Sequence, residues 1–317
     1  MKNLIALLVC LTSVACSSRL MPKKNLRYYA EINKAELAIV ADDNQQALRH
    51  YKKAFSLADG WADDYYNALK LSVSLRDTAF SLQNAKALRK RGLCLEFFTR
   101  LEMFRDNADL TTELRNTTAT IDFGYKEKIN KLHDKDQLAH QQHIRELKHK
   151  TTQENYVDFL HYYEQQGYPS ATKIGLQCTP NMLGYFVPPE NILFTHFAME
   201  KLENLDKKLL IFLREQHLAP HEFADYYDLF DDKRPYAFSL VVRIDNQLYR
   251  TKLSAKQEQE INALRKKIGF HSIDDQLRKT AYALKNTNSG YRLNCLVDTY
   301  SELPEENIAK YLVKLNW

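Results

Sequence analysis

The chain has 317 residues, 44% hydrophobic and 11% aromatic, and carries a net charge of +5 from 45 basic and 40 acidic side chains. That length and apolar content support a folded core and about two domains, and exclude a disordered chain. No dense Lys/Arg cluster occurs, and the eight glycines form neither G-x-G-x-x-G nor G-x-x-x-x-G-K-[ST], so no nucleic-acid partner, dinucleotide site or P-loop is expected, and no cofactor.

Residues 1–18 read MKNLIALLVCLTSVACSS: one lysine, a short apolar run, then small residues leading into Cys16. The run is too short to span a bilayer, and its order is that of an export signal. The ending Ser13-Val14-Ala15-Cys16 resembles the lipobox of bacterial lipoproteins, in which the cysteine thiol is diacylated and becomes the mature N-terminus. The departure is Ser13, where that family prefers leucine. The resemblance implies a signal peptide over residues 1–15, a tether over 16–26, and a soluble body held to the membrane by lipid on Cys16. Its expected location is the cell envelope, at the outer membrane. The cysteines beyond the signal and the anchor, Cys94, Cys178 and Cys295, allow one disulfide, and their spacing does not choose the pair.

Between Pro22 and Pro169 there is no proline, and helix-forming residues dominate. Helices are expected over residues 25–42, 45–57, 62–75 and 78–91, grouped as two antiparallel pairs closed by Gly60 and Gly92. The turns of the two pairs lie about 33 residues apart, near the tetratricopeptide period. The resemblance to tetratricopeptide repeats rests on Ala35 before the first turn and Ala47, Tyr51 and Ala54 after it, the second copy keeping only Ala79. A third unit, residues 94–104, is truncated. This array is expected over 27–118; generic antiparallel helices account for the same pattern without repeat ancestry.

From residue 119 to 317 the sequence predicts a second, mostly helical domain. A helix over residues 121–150 opens it, followed by helices over 153–166, 189–201, 204–216 and 221–231. Strands at 236–242 and 247–253 flank Asp245-Asn246 as one β-hairpin near 236–253. Helices at 254–268, 273–284 and 304–315 finish the chain. The fold class is therefore mostly α, with helical hairpins packed on a helical domain carrying one β-hairpin.

Read at 100° per residue, the 121–150 helix has an apolar stripe through Tyr125, Ile129, Leu132, Ala139 and Leu147. Asp136, His140 and His143 project within about 60° of Tyr125, on the same stripe. A carboxylate and two imidazoles there require pairing, hydrogen bonding, a metal or a polar cleft.

This half resembles an uncharacterised family of bacterial exported-protein domains. The family pattern is Asp-Gln-x-x-Arg on a helix, then Asn and Leu before Gly-x-Pro, Ile-Gly, a Gln-His pair, Ala-x-x-x-Asp-Arg and a Tyr-Gly-Thr hairpin. Asp136-Gln137, Asn155, Leu160, Gly167, Pro169, Ile174-Gly175, His196, Ala224, Asp228, Tyr249 and Thr251 match. His140 stands where the first arginine is usual, Thr195 for glutamine, Leu229 for the second arginine and Arg250 for glycine. The resemblance implies that Asp136, Gln137, His196 and Asp228 converge in one polar cluster.

From these residues, Asp136, His196 and Asp228 are the catalytic candidates, and Gln137, His140 and His143 the ligand-binding ones. The i, i+4, i+7 spacing of Asp136, His140 and His143 suits a first-row metal. Without H-E-x-x-H the signal is loose, and a satisfied structural network is the expectation, with no metal assigned. No G-x-S-x-G or papain-like cysteine motif supplies a nucleophile. The sequence therefore leans toward a non-catalytic interaction module that binds another envelope protein or peptide. The alternative is an enzyme or small-ligand binder built on Asp136, His196 and Asp228.

Overall fold

A computed structural model of the chain describes residues 20–176, 189–245, 247–293, 297–300 and 304–315. The expected signal and Cys16 anchor, together with Cys178 and Cys295, lie outside the described residues. The described chain is mostly helical, with sixteen helices and one small sheet. None of the described helices is long and apolar enough to cross a membrane.

The first two helices, α1 (Lys23–Val40) and α2 (Asn44–Leu57), form an antiparallel hairpin, and α3 (Ala62–Ser74) and α4 (Thr78–Lys90) form the next. The two turns are superposable in their details. Asp42 and Arg76 both take left-handed backbone, at φ 58° and 57°. The following Asp43 and Asp77 cap the second helices by accepting from the backbone of Gln46 and Phe80. Their own amides donate to Ala38 and Ser72, the 6→1 bond of a Schellman ending. The capping residues stand 34 positions apart.

That register changes one alignment expected from the sequence. The counterparts of Ala47, Tyr51 and Ala54 are Ser81, Ala85 and Leu88, all buried, whereas Ala79 is exposed. The second hairpin keeps the buried positions but exchanges large and small residues at them, which hides the repeat from residue matching. Short helices α5 (Leu95–Thr99), α6 (Glu102–Arg105) and α7 (Ala108–Asn116) extend this end, with Phe98, Phe104 and Leu114 buried beneath α3 and α4 in a small core of their own. Cys94 is disulfide-bonded.

The expected helix at 121–150 is two helices, α8 (Phe123–Gln141) and α9 (Arg145–Gln166). His143 takes φ 55° in the turn between them. The break lets α9 return antiparallel along α8, where Asn155 donates to the backbone of Leu132 at 3.0 Å. Short α10 (Ala171–Ile174) follows, then α11 (Pro189–Met199), which packs on α8 and α9. Next come α12 (Leu205–Arg214) and α13 (Pro220–Phe230), with α13 lying against both α11 and α12 and Phe212 of α12 meeting Phe159 of α9.

The hairpin β1 (Val241–Ile244) and β2 (Gln247–Thr251) is present, but residues 236–240 are not strand. It also recruits two strands the sequence did not suggest, β3 (Val297–Tyr300) parallel to β1 and β4 (Leu312–Lys314) antiparallel to β2, giving the order β3-β1-β2-β4. The predicted last helix is thus a shorter α16 (Glu305–Tyr311) followed by β4, because pairing on the free edge of β2 satisfies backbone groups that a longer helix would have satisfied internally.

Helices α14 (Ala255–Ile268) and α15 (Ile273–Lys285) turn the C-terminal half back onto the N-terminus, α15 lying along α1. Gly269, at φ 77° between them, packs so close to Tyr29 that an added Cβ would sit 3.1 Å from its ring. One hydrophobic core joins both halves, from Tyr28, Ile32 and Tyr51 to Phe159, Phe212 and Phe270.

Within that interface Lys279 is fully buried and donates to Glu36, 1% exposed, and to His271 Nδ1 at 3.2 Å. Breaking one side of such a pair strands a charge in the interior. We expect Lys279→Met to lower unfolding stability by about 3–5 kcal/mol in denaturant titrations, and the double variant with Glu36→Leu to recover most of that loss.

Candidate functional site

The polar groups on the buried stripe of α8 converge with α11, in a changed membership. Asp136 is fully buried. Its Oδ2 accepts from His196 Nδ1 at 2.7 Å and from Gln137 Nε2 at 3.0 Å. Because a carboxylate only accepts, this bond places the His196 proton on Nδ1. His140, one turn after Asp136, stacks flat on His196 with ring centroids 3.6 Å apart and planes 7° from parallel. Its Nε2 lies 3.9 Å from Asp136 Oδ1, too far for a hydrogen bond, and both atoms are buried without a partner. Burial first, and then His196, holds the His140 imidazole below its usual range.

Two expected members are elsewhere. His143 sits exposed in the α8–α9 turn, because the left-handed residue there takes it off the helix face. Asp228 is a backbone clamp: it accepts from the amides of Tyr236 at 2.9 Å and Phe238 at 2.7 Å, while the buried Arg265 donates to the carbonyls of Tyr236 and Ala237 at 2.7 and 2.8 Å. Together they fix the irregular segment that leads into β1, which includes Arg234 and Ala237 in left-handed backbone. The trio Asp136, His196 and Asp228 therefore does not form one site.

The larger feature escaped the sequence. Between the hairpins α1–α4 and the C-terminal half lies a cavity of about 900 Å³, of the size that holds a small molecule. Aromatic side chains from both halves line it, among them Tyr29, Trp61, Tyr168, Tyr226 and Phe270. So do seven acidic residues, three of them matched to cations. Glu36 pairs with Lys279, Asp59 with Arg91 at 2.6 Å, and Asp63 with Arg292 at 2.9 Å.

Three other carboxyls in the cavity, Asp64, Glu190 and Glu222, have no basic partner among the described residues. Asp64 accepts from the Tyr28 hydroxyl and from the Trp61 amide at 3.3 Å. Glu222 accepts from the Ala219 amide at 2.8 Å, capping α13. Glu190, 2% exposed in the first turn of α11, has an Oε2 with no partner. Burial is the largest influence on all three, pushing Glu190 up to about 8 and Asp64 and Glu222 to about 7. Glu222 keeps accessible surface because it faces the half-open cavity, while the protein packed around its carboxyl disfavours the charged form.

On the opposite wall, burial holds His271 well below the ordinary imidazole range, and Lys279 and Arg265 add to it. With Nδ1 accepting from Lys279, its proton sits on Nε2, which has no acceptor within reach. His221 is pushed down to about 4, by burial and then by Lys279.

Glu36 and Lys279 carried the same signal that singled out Asp136, a charged residue on an apolar helical stripe, here Ile32, Ala35 and Ile39 for α1. Glu190 and Glu222 carried none, since acids are ordinary in a first helical turn. No known protein family, curated protein or solved structure matches the chain.

The buried carboxyls bind protons on folding, so their stabilising contribution is full at acid pH and is lost as pH rises through about 7 and 8. The depressed histidines act oppositely, losing theirs as pH falls from 6.5 toward about 4. Above pH 6.5 only the carboxyls titrate among these groups. The melting temperature of the free protein is therefore expected to fall between pH 6.5 and 9, and Glu190→Gln to flatten that fall, leaving the variant more stable than the parent at pH 9.

Proposed function

We propose that the chain is a cell-envelope protein that binds a small organic cation in the cavity between its two halves. The observation that carries this reading is the set of three carboxyls, Asp64, Glu190 and Glu222, gathered without basic partners in an aromatic-walled space. An ammonium or guanidinium group entering there would meet acceptors and aromatic faces at once, and it would favour the charged forms of carboxyls that burial otherwise holds near neutrality. Anions are disfavoured by the same surplus of carboxyls.

The reading as an interaction module has less support. The face that α1 and α3 would offer a partner is covered by the chain itself. Asp275 accepts from Asn33 at 3.0 Å, Lys279 reaches Glu36, and Arg292 meets Asp63 and Asn67. Export and lipid attachment at Cys16 remain the proposed means of location, and the disulfide at Cys94 fits the oxidising compartment such an address implies.

The test is calorimetric titration with agmatine, spermidine, arginine and choline, beside glucose as a neutral control and citrate as an anion. At least one cation is expected to bind with release of protons, because binding favours the charged carboxyls. Affinity should then rise between pH 6 and 8, by up to about tenfold per pH unit for each proton released. Glu190→Gln and Glu222→Gln should each weaken it by about tenfold or more. Binding of glucose or citrate in preference to every cation, or cation binding indifferent to both variants, contradicts the proposal.

A further inference from the structure

The cluster at the α8–α11 contact lies outside the cavity lining and has its own chemistry. Asp136, His140 and His196 present ligand atoms that all fall within 4.8 Å of one another. Two of those atoms, Asp136 Oδ1 and His140 Nε2, are buried, unpartnered and 3.9 Å apart. In the tautomer that carries the His140 proton on Nδ1, Nε2 and the facing carboxylate oxygen both offer lone pairs, and neither can satisfy the other. What the pair lacks is an electron acceptor placed between them. Burying two such atoms uncompensated is costly, and a cation removes both deficits together.

The surroundings set what an ion must displace. Gln137 and His196 both donate to Asp136 Oδ2, which leaves Oδ1 turned toward His140. To ligate through the nitrogen that faces the cluster, His196 must move its proton to Nε2 and exchange its bond to Oδ2 for one to the ion. An imidazole binds a metal in the plane of its ring, so the two stacked rings, 3.6 Å apart and 7° from parallel, must tilt apart for both to reach one ion. Ligands of a tetrahedral ion with bonds of about 2.0–2.1 Å stand about 3.4 Å apart, so Asp136 Oδ1 and His140 Nε2, 3.9 Å apart, need to close by about half an ångström, and the full set, spread over up to 4.8 Å, by more. Two imidazoles and one carboxylate suit a first-row transition ion and suit calcium or magnesium poorly, since those take oxygen ligands.

We propose that Asp136, His140 and His196 form a binding site for one divalent first-row metal ion of the zinc class. His140 and His196 keep 27% and 12% of their side-chain surface, so the solvent side stays open to water or to a further ligand. Three protein ligands with an open position are the arrangement of reactive rather than purely structural zinc sites.

The experiment titrates chelator-treated protein with zinc chloride by calorimetry and with cobalt chloride by visible absorption. Saturation at one equivalent, with cobalt absorption typical of nitrogen and oxygen ligands, is expected. Asp136→Asn and His140→Ala should each weaken zinc binding by about 10–100-fold. His143→Ala, three residues along and outside the cluster, and Glu190→Gln, in the cavity, should leave it unchanged. Asp136 is buried and its variant can perturb folding, so the partly exposed His140 carries the decision, with far-UV circular dichroism and the melting temperature as checks. Absence of zinc binding overturns the proposal and leaves the two atoms to an ordinary bridging water. Binding unaffected by His140→Ala overturns it as well, by placing the metal elsewhere.

Discussion

The ion pair between Glu36 and Lys279 joins the two halves of the molecule. It spans most of the sequence, both partners are almost wholly shielded from water, and it fixes α15 against α1. A pair so placed stabilises little compared with an apolar contact of equal volume, because desolvation of both charges opposes their attraction. What it gives is position. With α15 held to α1, the faces of the helical hairpins turn inward, and the space left between the halves is walled by residues from both.

That placement explains why the cavity has its chemistry. Each hairpin face contributes acids, Glu36, Asp63 and Asp64, and the cations that neutralise two of them, Lys279 and Arg292, come from the far end of the chain. Glu190 and Glu222 arrive from the first turns of α11 and α13. Nothing in the described residues answers these two or Asp64, so burial keeps them closer to their neutral forms. On the proposed function, such a site carries protons when empty and gives them up to a cation. The cluster of Asp136, His140 and His196 arises from a different contact, between α8 and α11, and from a different deficit: two buried polar atoms without partners.

The secondary structure was largely legible in the sequence, and the register of its sites was not. Proline distribution and helical spacing located the hairpins, and the caps Asp43 and Asp77 stand where the chain turns. The repeat itself was misaligned at Ala79, because the second hairpin preserves volume summed across positions rather than residue identity at each. The 121–150 helix was broken at His143 by antiparallel packing of α9, a tertiary requirement with no glycine or proline to mark it. Asp136 is legible as a charge on an apolar stripe, whereas its partner His196, 60 residues away, lies beyond the reach of helical spacing. Asp228 matched the same pattern and proved to be a backbone clamp, a role that depends on the irregular segment 234–238 and is invisible to periodicity. The cavity could not be read at all, since it is made by the mutual placement of residues about 240 positions apart.

The central claim is that cavity carboxyls are held near neutrality until a cation arrives. Carbon-13 NMR of the glutamate carboxyls across a pH series, with Glu190→Gln to assign the resonance, tests it most directly. The account predicts a Glu190 midpoint near 8 in the free protein, returning toward the ordinary carboxylate range when spermidine or agmatine is added. A midpoint near the ordinary glutamate value in the free protein would contradict it.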